Sequence, residues 1–179
     1  MNPEQPPSDR KTAAPATVPK IQYRRPTVAD GIRMWEIARD SQVLDVNSSY
    51  AYVLWAHDFT ETSIVACADG RPVGFVTGYR KPRRPDVLMV WQVAVDADQR
   101  GRGIAAQMLI DLFRHCAGAG VTSLETTISP DNVGSQRTFA SAAETLGLGF
   151  RSEPLFAVDD FPDAHQPEDL YILDRPTDI

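Results

Sequence analysis

A strand, a glycine-rich bend and a helix start follow one another between Val93 and Ala106, and this segment constrains the fold more than any other. Its first residues are apolar and β-branched, which is typical of a buried strand. Gly101 and Gly103 then alternate with two arginines, and an apolar pattern with helical spacing begins at Ile104. Glycines let backbone N–H groups approach an anion without a Cβ in the way, and the first N–H groups of a helix lack internal partners. The segment therefore predicts an anion site between a strand and a helix.

The spacing of these glycines excludes two common phosphate motifs, the G-x-x-x-x-G-K-[ST] loop and the G-x-G-x-x-G dinucleotide fingerprint. On the residues alone, a tight turn with solvated arginines is an equal alternative to a phosphate site. The pattern Arg100-x-x-Gly103-x-Ala105 resembles the Q/R-x-x-G-x-G/A signature of the GNAT superfamily of N-acetyltransferases. This resemblance implies acetyl-CoA as the co-substrate, with its pyrophosphate held by Arg100, Gly101, Arg102, Gly103, Ile104 and Ala105.

Length and charge restrict the classes of protein that remain. A chain of 179 residues is long enough for one domain with a sizeable core, and its net charge of −6 argues against a broad basic surface for nucleic acid. No apolar run approaches the roughly 20 residues of a membrane helix. Cys67 and Cys116 are isolated and lack metal-ligand spacing, which favours free thiols in a reducing compartment. We therefore expect a cytoplasmic protein that needs no metal, membrane or nucleic acid.

The chain is predicted to consist of a tail and one domain. Residues 1–20 contain five prolines among small polar and charged residues and are expected to form a flexible tail. Residues 21–179 are expected to form a single domain. Their patterns give a strand, two helices, three strands, a helix, a strand, a helix and final strands. This order predicts an α+β fold with a central mixed sheet flanked by helices, which is also the order of the GNAT fold.

Three local patterns predict details of that fold. Thr27 followed three residues later by Asp30 is typical of a capped helix start. The basic segment Lys81–Pro85 is expected to be a solvent-exposed loop. The first helix is expected to bury one side, formed by Ile32, Trp35, Ile37 and Ala38.

The GNAT resemblance also implies how the acetyl donor is held. In that fold a bulge in the central strand splays it from the next strand, and backbone N–H groups there, at Val93, Ala94 and Val95, bind the acetyl and pantetheine portions. An asparagine after the next strand contacts the pantetheine arm, and Asn132 matches it; a helix N-cap is the alternative role, and the two are compatible. Seven residues further on, a tyrosine often protonates the leaving thiolate. This chain has Phe139 there, so water or another hydroxyl must serve, or the thiolate leaves unaided.

Residues of the acceptor site are predicted around one helix entry. Asp45, Asn47 and Tyr50 bring a carboxylate, an amide and a phenol close together in the sequence. Asp45 is a candidate to hold a substrate ammonium group or to help remove its proton, and Tyr50 to donate to a substrate carboxylate or the thioester oxygen. Helix capping with a partly buried tyrosine is the simpler alternative.

Three further residues complete the candidate acceptor site. Trp91 precedes Val93 by two positions, so side-chain alternation is expected to put them on one face, as a pocket wall or as core. Glu168 is a candidate ammonium ligand or base, and the neighbouring His165 is a weaker candidate for substrate contact. A solvated loop carries equal weight for Glu168.

Four segments carry a closer resemblance, namely Tyr23–Gly31, Val43–Tyr52, Gly74–Tyr79 and Val90–Asp96. They are similar to the diaminobutyrate acetyltransferase family of ectoine biosynthesis. The resemblance implies transfer of acetyl from acetyl-CoA to the γ-amine of L-2,4-diaminobutyrate, giving N4-acetyl-L-2,4-diaminobutyrate, and a homodimer. Direct attack in a ternary complex is the expected mechanism, because no Cys-His or Ser-His pairing is evident. An acetyltransferase for another small amine, a protein N-terminal acetyltransferase and a catalytically silent acyl-CoA-binding regulator are the alternatives.

Overall fold

The computed structural model describes residues 19–163 and 165–175, so the predicted tail, apart from Pro19 and Lys20, lies outside the described residues. Eleven regular elements are present in the described ranges. In chain order they are β1 (Ile21–Arg24), α1 (Gly31–Ser41), α2 (Ser49–Asp58), β2 (Ile64–Ala68), β3 (Arg71–Lys81), β4 (Arg84–Val95), α3 (Ile104–Gly118), β5 (Ser123–Ile128), α4 (Val133–Leu146), β6 (Gly149–Phe156) and β7 (Glu168–Asp174). This confirms the predicted order of strands and helices.

The strands form one mixed sheet in the order β1-β2-β3-β4-β5-β7-β6. All neighbours are antiparallel except β4 and β5, which are parallel and are joined by the crossover helix α3. Their pairing extends only from Val87 opposite Ser123 to Val90 opposite Thr126. Both strands continue beyond that point without pairing with each other, so the sheet opens between them. The α+β class predicted from the sequence is confirmed.

Apolar residues fill both faces of the sheet. Helices α3 and α4 cover one face, where Leu109, Leu112 and other apolar side chains of α3 are buried. Helices α1 and α2 cover the other face, against Phe75 of β3. None of the helices within the described ranges combines the length and the hydropathy needed to span a bilayer.

The buried side of α1 differs from the prediction in two residues, since Ile32 is exposed and Met34, which was not predicted, is buried. Ile32 is 50% exposed, whereas Met34, Ile37 and Ala38 are buried. These three lie at relative positions 0, 3 and 4, which share one helix face, and Ile32 lies outside that stripe. The predicted capping box is confirmed, since Thr27 precedes a single turn of 3-10 helix and exchanges hydrogen bonds with Asp30 before α1 begins.

The basic segment is not the loop that was expected. Strands β3 and β4 extend to Lys81 and Arg84, leaving a tight turn between them. Both cations contact Glu125 of β5, whose side chain is fully buried, and the Arg84 guanidinium lies 2.7 Å from it. The prediction was wrong because a buried carboxylate 41 residues further along the chain needs cationic partners. These contacts fix the hairpin to β5 at the paired end of the β4–β5 seam.

Candidate active site

A β-bulge in β4 marks the point where the sheet opens. Thr77 of β3 lies opposite Gln92 and the next residue, Gly78, lies opposite Val90, so Trp91 is an extra residue without a partner on β3. The parallel pairing of β4 with β5 also ends at Val90. A bulge bends and twists its strand. The bulge that the GNAT resemblance implied is therefore present, centred on Trp91.

The bulge changes which side chains share a face of β4. Val90 belongs to the core on the α3–α4 face, and Val93 and Val95 pack against the same core. Trp91 instead lies against α2, with its ring 4.3 Å from that of Trp55. The expectation that Trp91 shares a face with Val93 and Val95 is wrong, because simple alternation fails where one residue is inserted into the strand.

Backbone donors of β4 face the opening. The Asp96 N–H donates to the Val73 carbonyl on the β3 side at 2.8 Å. Since successive peptide groups of a strand point to opposite edges, the N–H groups of Val93 and Val95 point to the other edge, where pairing with β5 has ended. The Val95 carbonyl accepts a hydrogen bond from Arg100 Nε at 3.2 Å, which agrees with this direction. Two donors are thus available for a carbonyl oxygen in the opening.

The glycine loop meets α3 in the geometry that an anion site requires. Gly101 has φ of 76° and Gly103 has φ of 72°, a region in which other residues are strained. Gly103 is the N-cap of α3 and supplies no side chain to the first helical N–H groups. A cleft of about 440 Å³ lies in front of them, lined also by Ala105 of α3 and by Arg137 of α4. These groups fit the charge and size of a pyrophosphate.

The two arginines of the loop differ in their orientation. Arg100 lines the cleft and also reaches the Ser41 carbonyl at 3.4 Å. Arg102 donates to the Pro19 carbonyl at 3.0 Å and does not line the cleft. Of the residues predicted for the loop, Arg102 therefore does not line the cleft, while Ile104 lines it from a buried position.

Asn132 caps α4 and lies between the part of the candidate site for acetyl-CoA and the part for the amine. Its Oδ1 accepts a hydrogen bond from the Ser135 N–H at 3.0 Å, which is an N-cap interaction. It also lines a cavity of about 380 Å³ in the sheet opening, together with Val93. Phe139 is buried and lines this cavity as well, so no phenol is present at that position. Ser135, one helical turn earlier, is the hydroxyl nearest in sequence that lines the cavity.

The same cavity collects most of the predicted acceptor residues. The α1–α2 connection, the bulge and the start of β7 contribute Asp45, Asn47, Trp91, His165 and Glu168 to its lining. Tyr50 is not among the lining residues, and its side chain is 70% exposed in the first turn of α2. The chain therefore does not bring Tyr50 to the cavity, because the helix entry directs it to the outer surface.

His165 connects two loops across the mouth of the cavity. Its Nε2 lies 3.2 Å from Asp45 Oδ2, and its Nδ1 lies 2.6 Å from the Gln166 carbonyl. Its ring stacks on Phe161 with 4.2 Å between centroids. The Gln166 carbonyl and then the Asp45 carboxylate raise the pKa of His165 above its ordinary value. A protonated His165 thus forms an ion pair with Asp45.

Glu168 has the environment of a proton acceptor. It begins β7, lines the cavity and is half-buried. Burial raises the pKa of its carboxyl above the ordinary value, while the Thr127 hydroxyl and His165 act in the opposite sense. A carboxylate with a raised pKa is a better base than one with an ordinary pKa, because its pKa lies closer to the operating pH.

Sequence reasoning missed three residues that shape the cavity. Gln92 is buried and donates from Nε2 to the Asp45 carbonyl at 2.9 Å, which holds the α1–α2 connection against the bulge. It was detectable as the single polar residue in the apolar run of β4. Thr127 and Phe161 also line the cavity, but nothing in their local sequence indicates it.

The two cysteines lie outside the cavity. Cys67 and Cys116 are buried free thiols whose pKa burial raises, and neither lines the cavity. Among the described residues, no group of three His, Cys, Asp or Glu side chains is arranged to hold a metal ion.

The sheet opens after a bulge, and the glycine loop lies beside the opening at a helix N-terminus. This is the arrangement that the resemblance to acyl-CoA-dependent N-acetyltransferases implied, and comparisons with known proteins identify the same class. The family model described as "Acetyltransferase (GNAT) family" matches residues 31–143. The L-2,4-diaminobutyric acid acetyltransferase of Streptomyces coelicolor is 55% identical over 154 residues, which cover 84% of this chain and 91% of that protein. The enzyme of the same name from Nocardia farcinica is 52% identical over 148 residues, covering 83% and 77%.

Solved structures agree with these matches. The diaminobutyrate acetyltransferase EctA of Paenibacillus lautus, in complex with its substrate L-2,4-diaminobutyric acid and coenzyme A, superposes with a TM-score of 0.84 at 39% identity, covering 90% of this chain and 99% of that one. Ard1 from Thermoplasma volcanium, at 17% identity and a TM-score of 0.66, shares the fold alone. The chain therefore belongs to the GNAT acetyltransferase family and, within it, to the L-2,4-diaminobutyric acid acetyltransferases.

Proposed function

We propose that this enzyme transfers the acetyl group of acetyl-CoA to the γ-amine of L-2,4-diaminobutyrate, which gives N4-acetyl-L-2,4-diaminobutyrate for ectoine biosynthesis. One observation supports this most strongly. A single cavity joins the strand edge that carries the Val93 donor to two carboxylates, Asp45 and Glu168. The donors suit a thioester carbonyl whose oxygen gains negative charge, and the carboxylates suit an acceptor with two ammonium groups.

The donor side fits coenzyme A in its charge and shape. Uncapped N–H groups of α3, the two glycines and Arg100 would hold the pyrophosphate. Backbone N–H groups of Val93 and Val95 would orient the acetyl and pantetheine portions, and Asn132 lies beside them. When bound, acetyl-CoA supplies the acetyl group as a thioester. The chain's own contribution is to orient that thioester and to offer donors where its oxygen becomes more negative.

The acceptor must lose a proton before it reacts. An alkyl ammonium has a pKa of about 10.4, so at neutral pH its amine is almost fully protonated. We assign the removal of this proton to Glu168, directly or through one water molecule, because burial raises the pKa of its carboxyl. Asp45 has a highly exposed side chain at the mouth and would bind the other ammonium group. Asn47 and Trp91 would line the substrate site between them.

We propose direct transfer, in which the amine nitrogen forms its bond to the acetyl carbon as the carbon–sulfur bond breaks. The Ser135 hydroxyl or water would return a proton to the leaving sulfur, since Phe139 has no proton to give. Mass spectrometry of the enzyme with acetyl-CoA alone tests this step. Unmodified protein is expected, and a stoichiometric acetyl group that diaminobutyrate discharges at a competent rate would overturn it.

We further propose that the enzyme works in the cytoplasm as a homodimer. Buried free thiols suit a reducing compartment. The edge strand β6 exposes Phe150, Leu155 and Phe156, which a second copy could cover. Light scattering of the purified protein checks the dimer, for which twice the mass of one chain is expected.

A panel of amines tests the proposed function. Thiol release from acetyl-CoA is measured with diaminobutyrate, ornithine, a polyamine, an aminoglycoside and a short peptide with a free N-terminus, and the product is assigned by NMR. The highest kcat/KM is expected for diaminobutyrate, with acetylation at the γ-nitrogen. Preference for another amine would refute the substrate, and tight acetyl-CoA binding without transfer to any amine would favour a regulator.

A further inference from the structure

Two successive side chains of β4 face the α1–α2 side of the sheet. The Trp91 ring lies against Trp55 of α2, and the Gln92 side chain reaches the α1–α2 connection. In a regular strand, successive side chains point to opposite faces. The residue inserted at the bulge breaks this alternation, because a bulge re-aims neighbouring side chains. The bulge thus places a buried amide, Gln92, beside the segment that carries Asp45.

Gln92 makes a hydrogen bond that spans 47 residues of the chain. Its Nε2 donates to the Asp45 carbonyl at 2.9 Å. Gln92 is buried, at 6% exposure, so this bond satisfies an amide that is otherwise costly to bury. Asp45 lies between α1 and α2, outside both helices. The bond therefore fixes a stretch of backbone that regular secondary structure does not hold.

The position of the Asp45 carboxylate depends on that backbone. Its side chain is 90% exposed and contacts His165 at the mouth of the cavity. The residue after Gln92 is Val93, which lies beyond the last pair of β4 with β5, on the open edge proposed to hold the thioester. One residue of β4 thus holds the segment with the ammonium ligand, and the next offers a donor to the acetyl group.

Resting on the function proposed above, we propose that Gln92 is a positioning residue that sets the distance from Asp45 to the acetyl donor and so selects the length of the diamine. When Asp45 binds the α-ammonium group of diaminobutyrate, the γ-amine extends toward Val93 and Glu168. Ornithine is one methylene longer and 2,3-diaminopropionate is one methylene shorter, so each places its second amine at a different distance. Attack requires close alignment of the reacting atoms, so a shift of the Asp45 backbone weakens this discrimination.

Gln92→Met tests the proposal, because methionine has a similar length and no donor. Initial rates of thiol release are measured with diaminobutyrate, ornithine and 2,3-diaminopropionate, and the wild-type enzyme is expected to prefer diaminobutyrate. In Gln92→Met, kcat/KM for diaminobutyrate is expected to fall by about ten-fold, mainly through KM, with little change for the other two amines or in the KM for acetyl-CoA. Gln92→Leu, a second variant without a donor, is expected to give the same loss of preference.

A double-mutant cycle separates positioning from direct contact with the substrate, since Gln92 also lines the cavity. Because Gln92 acts through Asp45, Gln92→Met is expected to change kcat/KM by less than about two-fold in the Asp45→Asn background. Gln107→Met is the matched control. Gln107 donates to Asp111 at 2.8 Å on α3 and does not line the cavity, so this variant is expected to keep the wild-type amine preference.

Equal losses with all three amines, or an unchanged preference for diaminobutyrate, would overturn the positioning role. So would a loss in the Asp45→Asn background as large as in the wild type, which would mean that Gln92 contacts the substrate itself. A wild-type enzyme that prefers ornithine or 2,3-diaminopropionate refutes the proposed function; the positioning role then stands if Gln92→Met weakens that preference and fails if it does not. A wild-type enzyme that acetylates none of the three amines refutes both.

Discussion

His165 Nε2 lies 3.2 Å from Asp45 Oδ2, although 120 residues separate them in the chain. The contact joins the β6–β7 connection to the α1–α2 connection at the mouth of the acceptor cavity. Because the Asp45 carboxylate is also the proposed ligand of a substrate ammonium group, His165 and the substrate compete for it. The mouth of the cavity should therefore respond to pH.

The first prediction concerns this competition. The pKa of His165 is raised, so its ion pair with Asp45 is present below that pKa and is lost as the pH rises through it. Between about pH 6 and 7 both amines of the substrate remain largely protonated. The KM for diaminobutyrate is expected to fall as the pH rises, and His165→Gln is expected to flatten this dependence. A pH-dependent KM that persists unchanged in His165→Gln would contradict the competition.

The second prediction concerns Glu168 as the base. Glu168→Gln is expected to lower kcat by about 100-fold or more, because the amide cannot accept the proton. Thr127→Val removes a nearby hydroxyl that lowers the pKa of the Glu168 carboxyl, so that pKa should rise further. The acid limb of the kcat/KM profile then moves to higher pH in Thr127→Val. An acid limb that stays in place, or that survives in Glu168→Gln, would exclude Glu168 as its origin.

A third prediction separates the donor site from the acceptor site. Gly103→Ala places a side chain at φ of 72°, which costs about 1–2 kcal/mol, in the loop that lines the proposed pyrophosphate cleft. The KM for acetyl-CoA is expected to rise by about ten-fold, while the KM for diaminobutyrate changes little. Gly118→Ala near the end of α3 meets no atom within 4 Å and serves as the control. Equal effects of the two substitutions on acetyl-CoA would argue against the anion site.

The fourth prediction concerns the buried Glu125. Glu125→Ala leaves Lys81 and Arg84 without their shared carboxylate and is expected to lower the free energy of unfolding by about 3 kcal/mol. Arg84→Met should cost less, because its side chain is 56% exposed. Urea denaturation measures both. The KM for acetyl-CoA should be unchanged in Arg84→Met, since this segment pairs with Glu125; a marked increase would place it in the donor site.

Features that depend on adjacent residues could be predicted from the sequence. The strand, bend and helix start between Val93 and Ala106 and the N-cap role of Asn132 follow from a few neighbours each, and the structure confirms them. The order of strands and helices follows from hydrophobic periodicity in the same way. Asp45 and Glu168 were recognised by residue type, and the fold brings both to one cavity.

Features that depend on strand register could not be predicted. The orientation of Trp91 follows from the inserted residue in β4, which is defined only against the partners of Thr77 and Gly78 in β3. Lys81 pairs with Glu125, which lies on another strand, β5, and so could not be found from the sequence around Lys81. Tyr50 lies only five residues from Asp45, yet the intervening helix start separates the side chains.

Initial rates of thiol release with varied diaminobutyrate give the most direct test that Asp45 and Glu168 form the acceptor site. Wild type, Asp45→Asn, Glu168→Gln and Tyr50→Phe are compared at saturating acetyl-CoA. We predict a KM for diaminobutyrate about ten-fold or more higher in Asp45→Asn, a sharply lower kcat in Glu168→Gln and unchanged kinetics in Tyr50→Phe, whose side chain lies outside the cavity. Wild-type kinetics in both carboxylate variants would contradict the account.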